Sequence, residues 1–263
     1  MALNRASEAL SHQAFNQLEG VRGIKKAQIE TFFAGRKSDM GVLVEIVDSL
    51  RSEAIARMTA IRESKKAAVS RYFDGIRDQV LTLSEDTMIV DSALGFNAAF
   101  NSYAAETGLT PQRLSEMRTA LRTYYTDTFV PEYRSQNETA DFDAIGTVAK
   151  LSDSAVVFQH NFIRANKNPL GRKHLLDGLG DGSSYDRLHA KVHPILRSYL
   201  EKFGYYDIFL VDAEQGVVQY SVFKEVDFGT SLKTGPWADS NLARAYNKAM
   251  ELDGPKQRCL DGL

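Results

Sequence analysis

His189 and His193 stand four residues apart, a spacing that sets both imidazoles on one face of a helix, as a metal site requires. No third ligand follows nearby, position 190 is Ala190, and Pro194 disturbs the register, so the pair reads as two structural histidines. The glycine-rich run from Gly178 to Ser184 could cradle a phosphate at the start of the next helix. It follows no predicted strand and lacks a Lys-Ser/Thr ending, which favours a loop capped by Ser183 or Ser184. A third set is aromatic and acidic: Tyr205, Tyr206, Asp207, Tyr220, Asp227 and Trp237. Rings plus a carboxylate could hold a cationic or amino-acid-like ligand by cation–π contact and ion pairing. The plainer alternative packs alternate members of a strand against helices. Alternation would put Tyr206 and Ile208 on one face and Tyr205, Asp207 and Phe209 on the other. Lys25-Lys26 and Lys65-Lys66 suit anionic lipid headgroups or simply solvated helix faces, and Asn137-Glu138-Thr139 matches a glycosylation sequon that is common by chance. No Ser-His-carboxylate set, nucleophile elbow or phosphate-binding Walker loop occurs. The expectation is therefore no catalytic residue, no metal and no cofactor; the chain does not read as an enzyme.

The elements that must position these residues are mostly helical. From about Leu3 to Leu94 the pattern predicts helix almost throughout, with Gly35 and Gly75 the weak points at the joins. Leu43, Val47, Leu50, Ala54, Met58 and Ile61 step by three or four along one face, and Leu10, Ala14, Leu18, Val21, Ile29, Phe32 and Phe33 do much the same. Helices this long must pack against partner helices. The region also matches itself at an offset of 40 residues: Val21-Arg22 with Ile61-Arg62, Lys25-Lys26-Ala27 with Lys65-Lys66-Ala67, Phe32-Phe33 with Tyr72-Phe73, and Gly35 with Gly75. A duplicated helical segment explains the aromatic pair and the glycine better than coincidence between two amphipathic helices.

Helices are expected to continue to about residue 165. Thr110-Pro111 gives a start signal, and Leu114, Met117, Leu121, Tyr124 and Tyr125 form the apolar face. A polar break from Glu132 to Thr139 precedes a second periodic run with Ile145, Val148, Leu151, Val156 and Phe158. Asn168 to Gly171 and Gly178 to Ser184 are loops, and Tyr185 to Phe203 is a helix that Pro194 should kink or restart, closed by Gly204. Tyr205 to Val211 and Val217 to Phe223 then read as a β-hairpin across a glycine-containing turn. Thr234 to Ser240 is loop and Asn241 to Leu252 a short helix.

Lys and Arg total 32 against 34 Asp and Glu, a net charge of −2 that argues against a nucleic-acid partner. The one cysteine, Cys259, rules out a disulfide within the chain and leaves the compartment open. No stretch approaches the roughly 18–20 apolar residues of a membrane helix, and Met1-Ala2-Leu3-Asn4-Arg5 lacks the apolar region of a signal peptide. Taken as written, the chain is expected to be soluble and to carry no address.

The run Phe203-Gly204-Tyr205-Tyr206-Asp207-Ile208-Phe209-Leu210-Val211-Asp212 resembles the Cache-type sensor region of bacterial methyl-accepting chemotaxis proteins. Tyr220 to Glu225, Asp227 to Leu232, Gly235-Pro236 and Asp239 to Ala243 continue the likeness. Upstream, Asn168 to Gly171, His174-Leu175-Leu176, His189 and His193-Pro194 are similar to the segment before that hairpin, and Ala2 to Leu10 looks like residues that follow a first membrane helix. The resemblance implies an all-helical bundle joined to a small PAS-like α/β sensor, on the periplasmic side of the inner membrane in the parent receptor. It also implies a small-molecule ligand, a homodimer formed through the helical stalk, and membrane contact only through segments outside this chain. Such receptors pass a ligand-driven shift along helices with a few discrete packings.

The expected fold is thus mostly α: a stalk over 1–95, a bundle over 96–165, and a partial Cache/PAS-like sensor over 166–263 with its hairpin near 205–223. A PAS-like sheet has about five strands and only two are evident, so the sensor is expected to be incomplete and its hairpin to lean on neighbouring helices. The same domain type could equally serve a sensor kinase or a nucleotide cyclase, act by protein contact alone, or be a truncated, non-signalling remnant.

Overall fold

Ala2 to Glu85 form one helix, α1, which runs through both Gly35 and Gly75 in the computed structural model of the chain. The structure describes residues 2–137 and 142–251. Cys259, Leu252 and the Glu138-Thr139 half of the sequon lie outside them. Within that range the protein is mostly helical with one two-stranded antiparallel sheet. It divides into two compact units, Met1–Asp74 and Gly75–Leu263.

In the first unit every residue from 5 to 74 is exposed. Large apolar side chains share that exposure, Phe15 at 68%, Phe33 at 65% and Met58 at 71% among them. Ion pairs one turn apart, such as Arg22–Glu19 and Arg57–Glu53, add a few tenths of a kcal/mol each. Leu10, Ala14, Leu18 and Val21 recur 40 residues later as Leu50, Ala54, Met58 and Ile61. Forty residues make about 11 helical turns, so both sets lie along nearly the same stripe.

The second unit begins in the last turns of α1. The expected continuous helix to Leu94 is interrupted at Asp86, whose extended backbone and carboxylate, accepting from the Met88 and Ile89 amides, start α2 (Thr87–Glu106). Thr110 caps α3 (Pro111–Tyr124) as its sequence predicts. A π-helical turn over Tyr125–Phe129 leads into α4 (Val130–Gln136), so the expected polar break starting at Glu132 is helical up to Gln136. Pro131, with no N–H to donate, sits just after the widened turn. α5 (Ala144–Ala149) and α6 (Asp153–Gln159) follow, the latter running into a second π turn over His160–Arg164. Val148, Leu151, Val156 and Phe158 are buried as expected, but Ile145 is 60% exposed because the short α5 turns it outward.

Helix α7 (Ser184–Phe203) runs through Pro194 without the restart that was one of the two expected outcomes. Its buried face, from Tyr185 through His189, Val192, Leu196 and Leu200, holds the helix on both sides of the proline. His193 Nε2–H and Arg197 Nη1–H also both donate to the His174 carbonyl, at 2.7 and 3.0 Å. Ser183 caps the start of α7 and Gly204, at φ 72°, closes it.

The hairpin is shorter than predicted: β1 is Phe209–Val211 and β2 is Val218–Ser221. Asp207 ends the strand early, because its carboxylate takes the Ile208, Val222 and Phe223 amides and the Ser221 hydroxyl. Phe209 pairs with Ser221, Leu210 with Tyr220 and Val211 with Val218, so Gln219 is the extra residue of a β-bulge. On the far edge of β2, Val218 exchanges backbone bonds with Gly229 and Thr230. Gly229, at φ 79°, lets that segment approach: a Cβ there would lie 3.2 Å from Ala155 Cα. α8 (Asn241–Glu251) covers Val218 and Leu232 through Ala243.

The main core is aromatic. Phe158 on α6 stacks on Phe100 of α2 at 4.2 Å and packs against Tyr103, Tyr185, Phe162 and Phe228. Residues of 96–165 and of 166–251 thus share one core.

Candidate ligand-binding site

The residues singled out around the hairpin separate into four places. Tyr206 and Trp237 line a cavity of about 470 Å³, which also takes in Phe129, Tyr133, Phe142 and Glu225. Asp227 sits beside it with Trp237 in a smaller recess of about 180 Å³. Tyr205 and Asp207 line a third, apolar groove with Val80, Leu83 and Ile89. Tyr220 is fully buried and lines none of these. The alternation expected for 205–209 does not occur, since Tyr205 to Ile208 lie outside the strand.

The local fold explains how the cavity is made. The π turn ends at Phe129, and one turn on Tyr133 packs against it at 5.8 Å between ring centres. Phe142 meets Phe129 at 5.0 Å and Tyr133 at 5.6 Å, and stacks on Trp237 at 6.1 Å. Trp237 is fixed by its Nε1–H, which donates to the Val226 carbonyl at 3.0 Å. Tyr206, 76% exposed, stands at the rim and donates its hydroxyl to Glu225 at 2.9 Å. Partial desolvation of its hydroxyl end pushes the Tyr206 phenol up to about 12, helped by its bond to Glu225 and by the nearby carboxylates.

Cationic groups at the cavity are already engaged. Lys173 Nζ donates to the Asn166 and Asn168 carbonyls at 2.8 and 2.6 Å and lies over the Tyr124 ring. Lys224, 2% exposed and at φ 59°, turns its ammonium to the Ser221 carbonyl amid the rings of Tyr220, Phe228 and Phe162. Burial lowers Lys224 to about 7, with Asp207 opposing and Arg197 reinforcing the shift.

Two carboxyls near the cavity are pushed upward by burial. Desolvation pushes Glu225 upward against its bond to Tyr206. Asp227 rises to about 7 through burial and the neighbouring Asp207 and Glu225 charges, and its buried Oδ1 has no hydrogen-bond partner among the described residues. Each of these carboxyls would be relieved by a cation placed beside it. An aromatic cage edged by Glu225, with Asp227 in the adjoining recess, is suited to an organic cation.

The two histidines are core residues. His189 Nδ1–H donates to the Asp177 carbonyl at 2.8 Å, and its ring stacks on His193 at 4.4 Å. His193 accepts the Tyr220 hydroxyl at 2.8 Å while its other nitrogen holds the His174 carbonyl. In the 178–184 loop the Leu179 and Gly180 amides are taken by Asp186, which occupies the place a phosphate would need.

Phe129, Tyr133, Phe142 and Glu225 are the cavity residues that motif reading missed. The Phe129–Tyr133 spacing on one helical face and the Lys224-Glu225 pair ending an apolar strand were the available signals. Among the described residues, no helix is long and apolar enough to cross a membrane. Comparison with protein-family models, with curated proteins and with solved structures finds no match to this chain.

Proposed function

We propose that this chain is the ligand-sensing extracytoplasmic domain of a transmembrane chemoreceptor, on the periplasmic side of the membrane. Residues from Gly75 onwards would act as the sensor, PAS-like in kind, and the first unit as a dimeric helical stalk. The observation that carries the reading is the aromatic cavity with Tyr206, Trp237 and Glu225 at its edge, of a size suited to a small solute. The ligand class it favours is an organic amine or a cationic amino acid. Titration calorimetry with putrescine, choline, L-arginine and L-lysine, set against succinate and citrate, tests this. At least one cation is expected to bind, and Trp237→Ala or Glu225→Gln to weaken it about tenfold, the loss of one cation–π contact or ion pair in a partly desolvated site. Binding of the acids without the amines would sink the assignment.

The stalk reading rests on the apolar stripe of residues 5–74, all of it exposed in the single chain. An isolated helix of that length exposing Phe, Leu, Ile and Val along one side is relieved by pairing with a second copy. Sedimentation equilibrium should give a dimer at micromolar concentration, and Leu50→Lys with Ile61→Lys should shift it to monomer. A wild-type protein that stays monomeric as concentration rises would remove the stalk from the proposal.

A further inference from the structure

We propose that a second cavity, separate from the aromatic one, binds a small neutral, hydroxyl-rich solute of monosaccharide or cyclic-polyol type. It measures about 580 Å³ and lies among α2, the turn between α5 and α6, the hairpin turn and residues 230–236.

Gln219 is the central observation. It is the bulged residue of β2, and a bulge re-aims a side chain out of the regular alternation. The residue is only 4% exposed and lines this cavity. Its backbone carbonyl accepts the Tyr185 hydroxyl at 2.7 Å, and its side chain is part of the wall of the cavity. A carboxamide in a cavity wall offers a guest both a donor and an acceptor.

The charges nearby are already committed to holding the hairpin turn. The Asp212 carboxylate accepts from Asn97 at 3.2 Å and from the Glu214 and Gln215 amides at 3.3 and 2.7 Å. Lys233 Nζ donates to the Glu214 carbonyl at 2.6 Å and lies over the Tyr246 ring. At the rim, exposed Lys150 and Glu214 carry opposite signs, so no net charge selects an ion. Neutral groups remain: the Gln219 carboxamide, the Asn101 carboxamide oxygen, and the Ser154 and Thr234 hydroxyls. Amides and hydroxyls both give and accept, which matches alcohol groups better than carboxylates or ammonium ions. Phe100, with its ring fixed against Phe158, adds an apolar wall for the C–H face of a sugar ring.

The site goes beyond the proposed amine cavity and does not depend on it. The experiment is titration calorimetry of the full chain with D-glucose, D-galactose, D-ribose and myo-inositol, each up to about 10 mM, so that even a weak millimolar site registers. At least one is expected to bind, with affinity lowered about tenfold or more in Gln219→Leu, the effect of removing a buried two-way hydrogen-bonding group. Should Gln219→Leu fail to fold, Asn101→Ala, at an exposed rim position, must weaken the same sugar. Trp237→Ala should leave sugar binding unchanged, which keeps this result distinct from failure of the amine cavity. No heat from any of the four, binding that is indifferent to the variants, or loss of binding in Trp237→Ala would each overturn the proposal.

Discussion

Phe158→Ala should cost the second unit about 4 kcal/mol of unfolding free energy, the range found when a fully enclosed phenylalanine is cut to alanine. The side chain is 1% exposed and stands at the centre of the aromatic core, 4.2 Å from Phe100, 4.6 Å from Tyr185 and 4.8 Å from Tyr103. Four elements meet at this ring, so its removal leaves a gap that no single helix can close. A urea titration read by near-ultraviolet circular dichroism would show the midpoint fall sharply, and Phe158→Leu should recover more than half of it. A loss below about 1 kcal/mol would mean that the cluster does not hold the unit together.

The second large effect comes from the buried ammonium of Lys224. Its pKa falls from an ordinary 10.5 to about 7 in the folded protein. Between those values the unfolded chain carries a proton that the folded chain lacks, so stability rises with pH through that window. Below about 7 the full burial penalty applies, on the order of 5 kcal/mol for a shift of this size. Lys173 is shifted in the same direction by burial and adds to the rise. Asp227, raised to about 7, acts on the other side: its penalty grows as pH climbs towards 7 and is constant above. His193, lowered to about 3 by burial and by the Lys224 charge, costs stability only as pH falls below the ordinary histidine value. The window from pH 7 to 9.5 therefore belongs mainly to Lys224. Denaturant melts should show the wild type gaining stability across it and Lys224→Met staying nearly flat while being the more stable of the two at pH 6.5. A variant that keeps the wild-type slope would show that another group titrates there.

Local signals were the legible part of the sequence. Thr110-Pro111 and Gly204 each carry a cap in the residue itself and stand where they were expected, and Ser183 is the one of two expected serines that caps α7. The helical stripe of α1 and the existence of the hairpin were equally plain. What failed depended on contacts distant in sequence. Pro194 was expected to kink or restart α7; the helix does not restart there, and its neighbours are held by the His174 carbonyl, twenty residues upstream. The strand was expected to begin at Tyr205, but Asp207 spends its carboxylate on amides across the hairpin. For the candidate site, Tyr206 and Trp237 were named for their chemistry and do share a cavity. Tyr220, chosen on the same grounds, is a core residue bonded to His193. Residue type alone does not separate an aromatic that lines a cavity from one that fills a core. The bulge at Gln219 was not visible at all, because it arises from the register of two strands and leaves no local mark.

The 40-residue recurrence along α1 also sets which changes of length the helix tolerates. Removing 11 residues takes out about three turns, shortens the rod by about 16 Å and rotates everything beyond the cut by only about 20°. Removing nine takes out about two and a half turns and swings the rest of the stripe to the opposite side. Length and azimuth are thus geared together in α1: the rod can change its reach in steps near 7, 11 or 40 residues without losing phase, and at intermediate lengths the stripe of Leu50, Ala54, Met58 and Ile61 would no longer continue that of Leu10, Ala14, Leu18 and Val21.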